Sequence, residues 1–276
     1  MFSSFFITFR EGLEAFLIAG IIISYLFKSR QKKYIKYVLF GVLLAVALSI
    51  ALAFIIEIFI DGFEGRTEEI FEGSVLFIAV AVLTYMVFWM NRQAKNIRND
   101  LETSVDKAVN RGRVFSLFFL GFIVVFREGA ETVLFFKALS FQADTGLLLS
   151  GAITGILASL TVALIFFIST VKINISLFFK ITGILVMIIA AGLFATGIHE
   201  FQEAGIIPVL NQKVYDLSGF LSRDSITGGI LGSLFGYNPS PTVLELISYL
   251  IYIAVILFFI RKLFVKRKYT EFTVNK

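Results

Sequence analysis

The chain has 276 residues, 58% of them hydrophobic and 16% charged, and its mean hydropathy is +0.88. A water-soluble fold needs a polar shell that this composition cannot supply, so the chain reads as a membrane protein. The net charge of +5 sits in short basic stretches between apolar runs, which argues against nucleic-acid binding, and the absence of Cys excludes disulfides, thiolate metal sites and Cys nucleophiles.

Seven apolar segments follow one another, at 4–27, 38–60, 71–90, 114–137, 147–169, 178–200 and 242–262. Each is near the ~20 residues needed to cross a bilayer core. In lipid each must be helical, because every backbone polar group needs a partner within the segment. No basic leader precedes the first segment and Arg10-Glu11 interrupts it early, so a cleaved signal peptide is not expected. Lys28, Arg30, Lys32, Lys33 and Lys36 follow the first segment, whereas 61–72 carries Asp61, Glu64, Glu68, Glu69 and Glu72 against Arg66. Arg92, Lys95, Arg98, Lys107, Arg111 and Arg113 separate the third and fourth segments. Lys172 lies between the fifth and sixth, and Arg261, Lys262, Lys266, Arg267 and Lys268 follow the seventh. With seven crossings all these basic stretches share one face, which puts the N-terminus outside and the C-terminus in the cytoplasm of a multi-pass cell-membrane protein.

The first and fourth segments carry the same motif, Arg10-Glu11-Gly12-Leu13-Glu14 and Arg127-Glu128-Gly129-Ala130-Glu131, each preceded by Phe. Under that topology the two helices cross in opposite senses. The expected architecture is therefore an all-α integral membrane protein of seven transmembrane helices, a 3+3 inverted repeat plus one C-terminal helix. Repeat one covers 1–91, repeat two 114–203, an outer loop 204–241, the seventh helix 242–262 and a basic cytoplasmic tail 263–276, all in a single permease domain. The apolar stretch Ile226–Phe235 within that loop is too short to span, and reads as an interfacial or re-entrant piece or a lid.

Glu residues three apart share a helix face, and each Arg lies four residues from the second Glu of its motif, within ion-pair reach. Buried ion pairs that merely fix helix register are the plain alternative. Against it stand the duplication and the count, since four Glu against two Arg leave acid that only a bound cation would neutralise. Carboxylates suit hard cations, and ligand type alone leaves ferric and ferrous iron, manganese, magnesium, calcium and protons open. A second acidic set, Glu69 and Glu72 before the third helix and His199, Glu200 and Glu203 ending the sixth, reads as an outer mouth that concentrates cations. Glu64 and Glu68 read equally well as a solvated loop. Glu57 belongs to this mouth or pairs with a neighbour, and Lys137 and Glu245, near helix ends, read as snorkelling side chains.

These residues resemble the high-affinity iron permease family of fungi and bacteria, whose hallmark is Arg-Glu-Gly-Leu-Glu. The first motif matches fully and the second has Ala130 for Leu. Glu69-Ile70-Phe71-Glu72-Gly73 resembles the family's Glu-x-x-Glu-Gly element. His199-Glu200-Phe201-Gln202-Glu203-Ala204-Gly205, Tyr215-Asp216-Leu217-Ser218 and Phe235-Gly236-Tyr237 are similar to the bacterial EfeU-type branch. The resemblance implies an iron importer, not an enzyme, with Glu11, Glu14, Glu128 and Glu131 as translocation ligands and Arg10 and Arg127 supporting them. It implies iron as the transported substrate, with no permanently bound cofactor. It also implies an extracytoplasmic delivery or oxidising partner, because nothing in this chain could oxidise iron. Ferric iron is favoured, by analogy with the fungal members' oxidase, and ferrous iron is also admitted. The rival readings are a proton-coupled carrier, a transporter of another hard divalent cation, a di-iron-type membrane oxidase, which would want Glu-x-x-His pairs, and a structural scaffold.

Overall fold

All three prolines, Pro208, Pro239 and Pro241, fall in one stretch near the C-terminal end, so the long apolar segments keep uninterrupted helical hydrogen bonding. The computed structural model describes residues 1–60, 62–93, 97–110, 114–168, 175–222 and 225–274. Asp61, Lys95, Arg111, Arg113 and Lys172 lie outside the described residues, as do the side chains of Arg92, Arg98, Lys262, Lys266, Arg267 and Lys268. The α-helices are α1 (Phe2–Lys28), α2 (Ile35–Ile60), α3 (Arg66–Gln93), α4 (Ile97–Asn110), α5 (Val114–Ser140), α6 (Thr145–Ile168), α7 (Ile175–Glu203), α8 (Ile226–Phe235) and α9 (Val243–Val274). Among the described residues there is no strand, only an isolated antiparallel bridge between Lys213 and Thr242.

The described residues of the seven apolar segments fall on helices, apart from Thr242 at the start of the last, but the spaces between them hold more order than the sequence pattern shows. The connection after α3 forms the amphipathic α4, and the 204–241 stretch contains α8, with Ser225 as its N-cap and Gly236 (φ 67°) closing its C-terminus. The last helix runs to Val274, so the stretch read as a basic tail continues α9. Among the described residues, four helical stretches are long and apolar enough to cross a membrane: Lys32–Ile60, Arg66–Met90, Thr145–Ile168 and Phe179–Glu203. Helices α1 and α5 have 27 residues each, about 40 Å at 1.5 Å per residue, and interrupt their apolar faces with the charged motifs.

The described residues form two compact units, 1–64 with 81–186 and 65–80 with 187–276. In the first, the most extensive helix pairs are α1 with α6 and α2 with α5. Small residues let these backbones approach, as expected where lipid supplies no hydrophobic drive to associate. Gly151 and Gly155 of α6 receive Ser4 and Thr8 of α1, and Thr8 Oγ1 donates to the Ala152 carbonyl at 3.2 Å. Gly41 of α2 lies against the backbone of Phe118, and Gly121 of α5 against that of Val38. Leu101, Val105 and Ala108 of α4 close a cluster with Ile18, Ile22, Leu26, Val38 and Leu117. Apolar side chains such as Phe40, Leu43, Phe54 and Ile58 on α2 and Ile153, Leu157 and Ile168 on α6 are exposed, a surface that requires lipid.

In the second unit Phe77 of α3 stacks on Phe201 of α7, with centroids 5.4 Å apart, and meets Phe194 edge-on at 5.1 Å. The end of α8 packs on α7 at a glycine pair, where a Cβ on Gly192 would lie 2.5 Å from the Gly236 Cα. Gln202 ties the chain after α7 in place. Its amide donates to the Val209 carbonyl at 2.9 Å and Asn211 Oδ1 at 2.7 Å, and it accepts from Thr242 Oγ1 at 2.7 Å.

Candidate metal translocation site

Residues 10–14 begin about a third of the way along α1 and residues 127–131 lie near the centre of α5, and helix geometry turns each motif's charged groups toward one side. Arg10, Glu11 and Glu14 are each about 1% exposed, and Glu128 is 2% exposed. Arg10 Nη1 donates to Glu11 Oε1 at 2.9 Å and Nη2 pairs with Glu14 Oε1 at 3.0 Å, so one guanidinium spans both carboxylates of its helix. The same Nη1 reaches Met86 Sδ on α3 at 3.1 Å.

The second motif repeats the chemistry with a looser Arg. Arg127 Nε donates to Glu128 Oε1 at 3.0 Å and Nη2 to the same oxygen at 2.5 Å, while Glu131 Oε1 is 3.6 Å away. Its side chain is 41% exposed, and its guanidinium carbon lies 4.7 Å from the centroid of Trp89, the chain's one tryptophan. Such a cation–π contact holds a guanidinium that no carboxylate fully claims.

One oxygen from each of Glu11, Glu128 and Glu131 lies within 4.8 Å of the others. That span is close to the ~4.2 Å separating ligands across an octahedral ion with ~2.1 Å bonds. Both motifs therefore contribute to one carboxylate group, and Glu14, held by Arg10, stands beside it. One oxygen of each of the four Glu (Oε2 in every case) is buried without a hydrogen-bond partner among the described residues. Buried carboxylate oxygens left open at this density are costly unless a cation completes them. The glycine of each motif admits a serine from the facing helix. A Cβ on Gly12 would lie 2.6 Å from Ser159 Oγ of α6, and Gly129 receives Ser49 of α2 in the same way.

The outer set falls in the second unit. Glu69 is in the first turn of α3, and Glu200 of α7 is within electrostatic reach of Glu72, His199, Glu203 and Glu69. Glu64 and Glu68 are exposed. His199 contacts two carboxylates, Nδ1 to Glu245 Oε1 at 2.5 Å and Nε2 to Glu203 Oε1 at 3.3 Å. Glu245, read from the sequence as snorkelling, is instead 3% exposed, because Asn238 and His199 take up its carboxylate. Lys137 does not snorkel freely either, since its Nζ donates to Glu57 Oε2 at 3.0 Å. Sequence reasoning misses Met86, Ser49 and Ser159, which carry no local signal. Trp89, as a lone tryptophan, is the partner that could have been singled out.

Charged side chains buried together in helices whose outer faces are apolar are what a membrane transporter of ions presents, and the family match assigns that class. The chain belongs to the iron permease FTR1 family, whose model matches residues 1–270. It is 39% identical over 265 residues to a ferrous iron permease EfeU of Yersinia pestis, covering 94% of each chain. It is 37% identical over 256 residues to that of Escherichia coli O6:H1 and 38% identical to that of Shigella sonnei, covering 92% of each chain in both cases. No solved structure gives a significant match.

Proposed function

We propose that this permease imports ferrous iron across the cell membrane through the carboxylates of Glu11, Glu14, Glu128 and Glu131. The observation that carries the reading is the meeting of Glu11 with Glu128 and Glu131, donors from both copies of the motif, within 4.8 Å. Arg10 and Arg127 supply two positive charges against four carboxylates. A divalent ion balances the remainder, whereas a ferric ion leaves a net positive charge in a low-dielectric site, which costs energy. This count reverses the preference for ferric iron drawn from the resemblance, and the relatives' printed names agree with the reversal. Ferrous cargo needs no oxidation at the site, so a partner's role reduces to delivery from the outside.

The wider architecture belongs to the same proposal: a single permease domain, seven crossings, N-terminus outside, and a 3+3 inverted repeat followed by α9. Crossed pairing supports the repeat. Helix α1 packs on α6 as α5 packs on α2, and Gly12 meets Ser159 as Gly129 meets Ser49. Glu69, Glu72, His199, Glu200 and Glu203 form the mouth that gathers the ion before it reaches the central carboxylates.

The test is radio-iron uptake into proteoliposomes, with ascorbate-reduced iron and a ferric chelate offered separately. Ferrous uptake abolished by Glu131→Gln and Glu11→Gln in protein that still inserts is the expected result. Uptake of ferric iron alone overturns the cargo assignment. Full ferrous uptake by both variants overturns the site. A proton-coupled carrier shows itself as transport that iron fails to compete, and a general divalent transporter as equal competition by magnesium.

A further inference from the structure

A neutral imidazole has one N–H to donate and one lone pair to offer. Both nitrogens of His199 face acceptors, Nδ1 toward Glu245 Oε1 at 2.5 Å and Nε2 toward Glu203 Oε1 at 3.3 Å. When Nδ1 donates to Glu245, a neutral ring turns its Nε2 lone pair toward the Glu203 carboxylate, an arrangement completed either by a second ring proton or by a metal ion that Nε2 and Glu203 share. The two carboxylates differ in kind. Glu245 is buried, its Oε2 accepts from Asn238 Nδ2 at 2.8 Å, and its amide donates to Thr242 Oγ1 at 3.2 Å, which in turn binds Gln202. Glu203 is 55% exposed. One side of the imidazole is thus fixed and closed, and the other is open to an arriving ion.

We infer that His199 Nε2 and Glu203 form a docking site for a divalent transition-metal ion, with Glu245 as the positioning residue that makes His199 a ligand. A ligating histidine whose second nitrogen donates to a buried carboxylate is the usual way proteins fix the tautomer and raise ligand basicity. This deepens the proposed function and rests on it, because it gives the permease a selective step that an all-carboxylate group lacks. Imidazole nitrogen favours ferrous and later transition-metal ions over magnesium and calcium, which the central carboxylates alone reject poorly. Glu200, with Glu69 and Glu72 within its electrostatic reach, adds the local negative charge that draws a cation to this end of α7.

His199 is the chain's only histidine, so imidazole coordination has one source. The experiment is pulsed EPR of Mn²⁺ bound to the full chain, purified through a tag without histidine. The expected result is ¹⁴N coupling of imidazole type that vanishes in His199→Gln, with Mn²⁺ affinity at this site about 10–100-fold weaker in Glu245→Gln. Mn²⁺ on the central carboxylates gives no such coupling, so loss of the Glu11 or Glu131 transport phenotype leaves this readout intact. Absence of nitrogen coupling in the wild-type chain, as for an imidazole that is merely protonated, overturns the inference even if iron uptake is normal. Unchanged affinity in Glu245→Gln overturns the positioning role. If that variant does not fold, the wild-type and His199→Gln spectra still decide the ligand assignment.

Discussion

The two motif arginines are chemically equivalent in sequence and unequal in structure, and neutralising each in turn exposes the difference. Arg10 is about 1% exposed and is the shared counter-charge of two carboxylates equally buried. Arg10→Gln leaves Glu11 and Glu14 without that partner, and breaking a buried charge network by removing one member costs roughly 3–5 kcal/mol. Arg127 is 41% exposed, so solvent already screens it, and it binds mainly one carboxylate while resting on Trp89. Its loss strips the buried Glu128 of a partner, but the solvent at Arg127 offsets part of that, leaving about 1–2 kcal/mol. At about 2–4 °C per kcal/mol for a chain of this size, Arg10→Gln should lower Tm by about 10 °C and Arg127→Gln by about 5 °C or less. Thermal unfolding of both purified variants in one detergent, followed by a lifetime-independent probe such as light scattering, measures the contrast. Added Mn²⁺ should recover part of the Arg10→Gln loss, because the variant's central site carries extra negative charge. Equal losses, or a larger loss for Arg127→Gln, would refute the reading that the arginines divide into a buried clamp and a screened partner.

Two further outcomes follow from the same geometry. Trp89 is the only tryptophan and lies under Arg127, so its emission should change when Mn²⁺ binds the carboxylates. A fluorescence titration checks this, and a change that persists in Glu128→Gln counts against the coupling. Gly129→Ala should lower Tm by several degrees by driving a methyl into Ser49, since overpacking costs about 1–3 kcal/mol. Ser49→Ala in that background should recover part of the loss, because it removes the Oγ contact and leaves the Cβ one, and no recovery would show that the strain lies elsewhere.

The helices and the carboxylates were legible in the sequence because both obey local rules. Apolar runs of membrane length bound the segments, and a charged motif inside such a run is conspicuous. Residues that act through distant partners were not legible. Glu245 sits 46 positions from His199 and looked like an ordinary helix-end acid, and only the return of α9 against α7 makes it a buried partner. The unequal exposure of Arg10 and Arg127 is likewise set by α3, which offers Met86 to one and Trp89 to the other. Helix α4 escaped notice because its apolar stripe of Leu101, Val105 and Ala108 is diluted by charge, and averages hide a stripe that spacing would have revealed.

Crossed packing of α1 on α6 and α2 on α5 has a consequence for how the chain is made. When the ribosome has completed α1 and α2, neither has its main contact surface, because the glycine-lined faces that receive them belong to helices not yet synthesised. Ser159 must emerge before Gly12 is covered, and the exposed carboxylates of α1 must wait in the translocation machinery or in transient contacts until then. Assembly of the central site therefore waits for α6, and a chain truncated before α6 leaves the α1 motif without the helix that covers Gly12.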